Sequence, residues 1–310
     1  MPLLTPLITN SGWIYGQAAL HHPPGYRRGY PMYYPKENGE RDFRGKRYTK
    51  YVRIANPNER PTQPYSSDPC MDPWATVIPL TEITEKVNCV RAFRAWEQQN
   101  NIRDARKEVI NAVLRRAEIP TNYVGLGGST ALGCDRPDAD IDIFIYGSWN
   151  AIRCIREIEK MLHRGELSLM KKKIAQSYAD RYAELYGLAR ETLFNLFAQD
   201  LTKVYVAEKK ISFIFLYDER EVASIPPQIY TNSLGPDTHI VGRVVSGVSS
   251  WIYPRQYLIR SQGGILYSVW SHHWLYKGMA ASGAPVEIVG HDCGNQLLTI
   301  SALHHKIISL

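Results

Sequence analysis

Two aspartates separated by a single residue, Asp140 and Asp142, lie in the apolar run 140–146. Side chains alternate between the two faces of a β-strand, so both carboxylates share one face and the intervening isoleucines share the other. Carboxylates held side by side repel each other unless they are solvated or bridged, and a divalent cation is a common bridge. The pattern therefore predicts a catalytic, metal-binding pair; the alternative is a solvated edge strand with two ordinary carboxylates.

A glycine-serine turn, Gly128-Ser129, precedes this strand by a short loop and follows the apolar segment 123–126. Glycine lets a phosphate approach the backbone, and the free N–H groups at a helix start together with a serine hydroxyl can bind it. Metal ions held by carboxylates can orient a triphosphate and lower the pKa of an attacking hydroxyl. Gly128 and Ser129 are thus predicted to hold the phosphates of a nucleoside triphosphate (NTP).

The combined motif resembles that of the nucleotidyltransferase superfamily, which includes DNA polymerase beta and small archaeal and bacterial enzymes. The matching residues are Gly128-Ser129, Gly133 and Asp140-Ile141-Asp142. The serine that usually precedes the first aspartate is Ala139 here. The resemblance covers about residues 100–220 and implies an α/β (α+β) core with a mixed sheet, Mg²⁺ or Mn²⁺ as cofactor, and an NTP as substrate.

The resemblance also implies a third carboxylate on a later strand, for which the expected place is Ile211–Leu216. This strand contains no acid, and Ser212 lies on the face where one is expected. Glu208 and Asp218 flank the strand without the usual spacing. A third carboxylate commonly acts as general base or metal ligand, so whether the protein is an enzyme stays open at this point.

The elements around the motif suggest three segments. Residues 1–80 are basic and rich in Pro, Gly and Tyr, and contain short β-like runs. Residues 81–224 contain helical and strand patterns, with a helical insert at 170–198, and form the predicted nucleotidyltransferase-like core. Residues 225–310 show short β-like runs between turns, which predicts a small all-β barrel or sandwich. The flanks resemble a subgroup of archaeal predicted nucleotidyltransferases, notably at Ser271–Met279.

Positive charge is concentrated in the first part of the chain. Lys and Arg exceed Asp and Glu by 37 to 30 overall, and by 18 to 12 within residues 1–120. Lysine and arginine among tyrosines can bind nucleic acid through phosphate contacts and base stacking, so RNA or a ribonucleoprotein is a candidate partner; a solvated face is the alternative. The basic residues in question are Arg27, Arg28, Arg41, Arg44, Lys46, Arg47, Lys50 and Arg53.

The remaining features give weaker predictions. The chain has no apolar run long enough for a membrane helix and no basic region at its start, so we expect a cytoplasmic protein without a membrane partner. The adjacent histidines His272 and His273 are expected to be structural, and Cys134 to play no catalytic part.

Two functions remain in view. The first is a Mg²⁺-dependent nucleotidyltransferase that moves a nucleoside monophosphate (NMP) from an NTP to a hydroxyl of RNA or protein. The second is a catalytically silent protein of the same fold that binds RNA or a ribonucleoprotein.

Overall fold

The structure is a computed structural model that describes residues 2–51, 61–68, 70–71, 74–99, 104–136, 139–230, 236–302 and 304–310. Its chain divides into two compact units, which we describe separately. The first comprises Met1–Ser67, Trp74–Met170 and Leu201–Glu219. The second comprises Asp68–Pro73, Lys171–Asp200 and Arg220–Leu310. Within the described residues, no helix is long and apolar enough to cross a membrane.

The first unit begins with an antiparallel sheet in the order β4-β5-β3-β2-β1-β7, with β6 paired to β3. One face of this sheet is aromatic, because Trp13 lies against the rings of Tyr15, Tyr34 and Tyr51. Strand β5 accounts for one of the short β-like runs predicted within residues 1–80. The strands are β1 (Pro6–Thr9), β2 (Ile14–Gln17), β3 (Tyr26–Pro35), β4 (Arg41–Phe43), β5 (Lys46–Lys50), β6 (Thr76–Pro79) and β7 (Ile83–Lys86).

The rest of the first unit is an α/β core whose strands lie in the order β10-β11-β9-β8. Strands β9 and β11 are parallel and the other pairs are antiparallel, so the sheet is mixed, as predicted. The elements are α1 (Cys89–Glu97), α2 (Ala105–Arg116), β8 (Val124–Leu126), α3 (Gly128–Leu132), β9 (Ile141–Tyr146), α4 (Ser148–His163), β10 (Lys203–Val206) and β11 (Lys209–Leu216).

Burial explains why β9 forms where it does. Ile141, Ile143 and Ile145 are all buried, and helix α4, which follows directly, buries its own apolar stripe. At the start of α2, the Asp104 side chain accepts a hydrogen bond from the backbone N–H of Arg106, as a helix N-cap does. The Arg106 guanidinium pairs with the Asp104 carboxylate and also donates to the carbonyl of Ala139 at 2.6 Å. Helix α2 is therefore tied to the residue that precedes Asp140.

The second unit contains the predicted helical hairpin and the predicted β module. Helices α5 (Lys172–Tyr186) and α6 (Arg190–Ala198) pack aromatic rings together, among them Tyr182 and Phe197. The strands are β12 (Asp237–Ser246), β13 (Ile252–Tyr253), β14 (Arg255–Ser261), β15 (Leu266–Ser271), β16 (Pro285–Asp292), β17 (Leu297–Ile300) and β18 (Lys306–Ser309).

The β module is a barrel rather than a sandwich. Its strands follow the order β12-β14-β15-β17-β16, and β16 pairs back to β12, which closes a ring of five strands. The pair β15–β17 is parallel, the other pairs are antiparallel, and β18 extends the sheet from β16. The predicted fold class, an α/β core with a mixed sheet plus a small C-terminal β module, is confirmed.

Candidate active site

Asp140 and Asp142 lie at the start of β9, both partly buried, where the mixed sheet meets the glycine turn. Gly128 touches the second carboxylate so closely that a Cβ atom built on it would lie 2.2 Å from Asp142 Oδ2. Gly128 also has a φ of +59°, a conformation that favours glycine. The spacing between the glycine turn and the aspartates in the sequence thus places the backbone of Gly128 next to the Asp142 carboxylate.

Strand β11 contributes a hydroxyl and a cation to this pair, and no carboxylate. Ser212 is the parallel-strand partner of Asp142, and its Oγ donates a hydrogen bond to Asp140 Oδ2 at 3.3 Å. The Lys210 ammonium lies 2.7 Å from the same Asp140 oxygen. Ser212 thus lies beside Asp142 on the strand where the resemblance implies a third carboxylate. The sequence does not identify Lys210.

The two carboxylates have opposite pKa shifts. Burial and the neighbouring charge of Asp140 raise the pKa of Asp142 to about 6, despite the opposing charges of Lys210 and Lys50. Burial also acts to raise the pKa of Asp140, but the Lys210 charge and hydrogen bond outweigh it and hold that pKa below its usual value. The pair therefore tends to share one proton near pH 6, and a bound cation would favour the doubly ionised form.

A cleft of about 740 Å³ opens beside Asp140. Five basic side chains line it, against the two acids Asp140 and Glu208, so the cleft attracts anions. Guanidinium and ammonium groups are the usual ligands of phosphate oxygens. The basic lining residues are Arg41, Arg106, Arg136, Lys209 and Lys210.

The two acids that flank β11 have different positions. Glu208 lies in the β10–β11 turn, where a left-handed backbone (φ +65°) places it among the residues that line the cleft. Asp218 follows the other end of β11 and lies near Gly147, which follows the last residue of β9. Only Glu208 therefore lies at the end of the sheet that holds Asp140.

The N-terminal sheet also reaches the site, which the sequence did not predict. Arg41 of β4 donates to the backbone carbonyl of Cys134 at 3.2 Å and lines the cleft. Tyr33 of β3 forms a hydrogen bond with Ser129, and burial raises the pKa of its hydroxyl well above the usual range. Lys50, at the end of β5, is close enough for its charge to lower the pKa of both aspartates.

Three of the other basic residues of this segment have partners within the N-terminal sheet or its loops. Arg28 is buried and donates to the carbonyl of His21, Arg44 pairs with Glu85, and Arg47 donates to the carbonyl of Gly39. Arg53 lies outside the described residues.

Cys134 is buried in the loop after α3, and this burial raises the pKa of its thiol to about 11. The thiol is therefore protonated at neutral pH and is a poor nucleophile. Burial of the side chain is enough to explain why a cysteine occupies this position.

Residues 106–193 match the family model described as a nucleotidyltransferase domain. The match begins at Arg106, includes the glycine turn and both aspartates, and ends before β10 and β11. The chain thus contains a domain of the nucleotidyltransferase superfamily, a class of domain that transfers NMP from NTP and generally uses divalent metal ions. Comparisons with curated proteins and with solved structures gave no significant match. The archaeal resemblance stays a prediction.

Proposed function

We propose that the protein is a Mg²⁺-dependent nucleotidyltransferase that transfers NMP from an NTP to a hydroxyl of RNA or protein. The observation that carries the proposal is the contact between Gly128 and the Asp142 carboxylate at a site whose other aspartate, Asp140, borders a cation-lined cleft. Asp140 and Asp142 fit a hard divalent cation because they supply adjacent oxygen ligands whose repulsion a cation relieves. Such an ion would neutralise triphosphate charge and activate the attacking hydroxyl.

The chain's own residues have separate roles in this proposal. Gly128 and Ser129 bind phosphate oxygens, since the glycine leaves the backbone accessible. Arg41 and Lys210 neutralise the remaining charge of the triphosphate and orient it. Lys210 holds Asp140 in place before the nucleotide arrives, at 2.7 Å from its Oδ2.

RNA is the better supported acceptor of the two. The C-terminal barrel has five strands in a closed ring, an arrangement similar to the OB-fold, whose second and third strands bind oligonucleotides in other proteins. On the first and second strands of this ring, β12 and β14, Arg243 and Arg260 are exposed and directly opposite each other. Arg243 also donates to the carbonyl of Gly283 at 3.1 Å. Like charges directly opposite each other are destabilising, and a bound phosphate would relieve that repulsion.

The test is incubation of the full chain with labelled NTPs, Mg²⁺ or Mn²⁺, and either RNA or protein acceptors. We expect label on RNA, and a loss of at least 100-fold when Asp140 and Asp142 are both changed to Asn, since the metal ligands are removed. Asp180→Asn, an exposed position on α5, is the matched control and should keep full activity. Transfer that survives the double change would rule out this site.

A second candidate is a catalytically silent member of the fold that binds RNA or a ribonucleoprotein. It is favoured by Ser212 in place of an acid and by the Lys210 ammonium on Asp140. In this case RNA binding would occur without metal and survive the double aspartate change, and no NTP would be consumed. Binding assays with and without Mg²⁺ on the same variants separate the two functions.

A further inference from the structure

A second group of metal-type side chains lies on the C-terminal barrel, in residues that the proposed function does not use. The Asp237 carboxylate, at the first residue of β12, has three imidazoles around it. Its Oδ2 is 2.7 Å from His304 Nε2, and its Oδ1 is 2.8 Å from His291 Nδ1 and 3.2 Å from His305 Nε2. The ligand atoms of Asp237, His304 and His305 all lie within 4.8 Å of one another.

The backbone explains why these residues meet. Asp237 and His291 are direct partners in the antiparallel pairing of β12 with β16. His304 and His305 come from the turn that leads into β18, which pairs with β16 farther along. Three separate segments of the barrel therefore supply groups to one point.

Hydrogen bonds alone do not explain why the His291 side chain lies against Asp237. Its Nδ1 atom is buried and lies 2.8 Å from Asp237 Oδ1, yet it forms no hydrogen bond of acceptable geometry with any described residue. A buried polar atom without a hydrogen bond costs free energy. A metal ion that binds this nitrogen would remove that cost.

His305 is held in a tautomer that excludes it as a ligand. Its Nδ1 accepts hydrogen bonds from the backbone N–H groups of Ser301 and Ala302, at 3.1 and 3.0 Å. The proton of the neutral ring must then be on Nε2, which donates to Asp237 Oδ1. His305 therefore orients the carboxylate, as second-sphere partners of metal ligands commonly do.

We propose that Asp237 and His304, whose ligand atoms lie within 4.8 Å of each other, bind a transition-metal ion of the Zn²⁺ type, with His291 Nδ1, 2.8 Å from Asp237 Oδ1, as the third ligand and His305 as the residue that positions Asp237. Two imidazoles and one carboxylate suit Zn²⁺, whereas Mg²⁺ prefers oxygen ligands alone. Three protein ligands leave a fourth position for water or a further ligand. His304 is 63% exposed, so the ion can enter from solvent.

The experiment measures Zn²⁺ binding to the full chain by competition with a chromophoric chelator. The parent protein carries Asp140→Asn and Asp142→Asn, so that the carboxylate pair on β9 does not bind the ion. We expect one Zn²⁺ per chain, with affinity at least tenfold lower in His304→Gln and no change with Mg²⁺ in excess. His239→Gln is the matched control, because His239 is 58% exposed on the same strand as Asp237 and contacts Glu287 instead.

A second measurement, the melting temperature with and without Zn²⁺, shows whether a variant loses binding only because it unfolds. Zn²⁺ should raise the melting temperature of the parent and of His239→Gln, but not of His304→Gln. Equal affinity in the parent and in His304→Gln would overturn the proposal, as would equal loss in the His239 control. Binding no tighter than millimolar in the parent would overturn it too, and would leave the group as a hydrogen-bonded cluster.

Discussion

Two glycines on either side of the short helix α3 have the same backbone conformation and different surroundings. Gly128 has φ +59° and Gly133 has φ +66°, so alanine is strained at either position. A Cβ atom at Gly128 would strike Asp142 Oδ2, whereas at Gly133 nothing lies within 4 Å. A comparison of alanine substitutions at the two glycines therefore distinguishes the effect of backbone strain from the effect of a contact with the Asp142 carboxylate.

We expect Gly128→Ala to lower transfer at least 100-fold, since the methyl group displaces Asp142 from its ligand position. Gly133→Ala should cost about 1 kcal/mol of stability, as a left-handed residue with a Cβ does, and should leave transfer within a few-fold of the parent. Rates and denaturation midpoints of both variants provide the check. Equal losses of activity would mean that strain, and not the Asp142 contact, matters at Gly128.

The pKa of Asp142 gives a prediction for stability against pH. Between the ordinary carboxyl pKa and the folded-state value of about 6, the folded chain binds a proton that the unfolded chain has released. The contribution of Asp142 to the free energy of unfolding should therefore fall as the pH rises through this window, whereas His22 and His305, whose pKa values burial lowers to about 3 and about 4, contribute in the opposite direction. The lowered pKa of Asp140 acts in the opposite direction, at pH values below its ordinary pKa, and so does not mask the effect.

Denaturant unfolding from about pH 4 to pH 7 without metal tests this expectation. The free energy of unfolding of the parent minus that of Asp142→Asn should fall across this range, and Mg²⁺ should stabilise the parent more at pH 7 than at pH 5 because the ionised pair binds it. A difference between the parent and Asp142→Asn that does not fall in this range would contradict the raised pKa.

For individual residues, the sequence alone identifies those site residues that short-range spacing along the chain brings together. Asp140 and Asp142 alternate along one strand, and Gly128 lies one loop away, so their proximity follows from short-range geometry. Lys210, Lys50 and Arg41 reach the site only through strand pairing and sheet packing. No local pattern distinguishes those three from other surface cations.

At the level of secondary structure, the parallel pairing of β9 with β11 places a serine, and not an acid, beside the aspartate pair. Ser212 is aligned with Asp142, so an acid at position 212 would lie beside the existing pair. We expect Ser212→Asp to tighten Mn²⁺ binding and raise transfer about tenfold, as a third ligand or base. The same change adds a negative charge to a partly buried cluster, so the metal-free protein should be less stable.

Ser212→Asn is the control, because it has nearly the same shape as the aspartate variant and carries no charge. It should show neither tighter Mn²⁺ binding nor faster transfer. If Asp and Asn at position 212 behave alike in metal titrations, the missing acid is not what limits the site.

Element positions are predicted well where burial is strong. The apolar runs at 123–126 and 211–216 are strands, and the 170–198 segment is a helical hairpin, because each has a continuous apolar face or core. Pairing could not be predicted, since strand order and register depend on contacts between distant segments. The closed ring of the C-terminal barrel, for example, requires β16 to return to β12.

For the whole molecule, the exposed arginine pair on the barrel predicts how RNA affinity responds to salt. Changing Arg243 and Arg260 to Ala should reduce the slope of log affinity against log salt by about 1.4, if each contacts one phosphate of single-stranded RNA. A double change of Arg181 and Arg190, exposed on α5 and α6, alters the net charge equally and should leave the slope unchanged. Identical slopes for both double variants would argue against a binding face on the barrel.

The charge distribution shows why whole-chain properties are hard to predict from composition. The excess of basic residues in the first 120 positions is compatible with a nucleic-acid surface or with a solvated face. In the structure, Arg41 lines the cleft, Arg28 is buried and Arg44 pairs with Glu85. Similar side chains thus have different partners, which only the tertiary fold determines.

The pairing of β9 with β11 also has a consequence for synthesis of the chain. Residue 141 pairs with residue 211, seventy positions later, and helices α5 and α6 lie between them in sequence. A ribosome must therefore release Lys210 and Ser212 before Asp140 has its cation and hydroxyl partners. Because closing such a long loop is slow, the two aspartates take up this arrangement only late in folding, well after they have been synthesised.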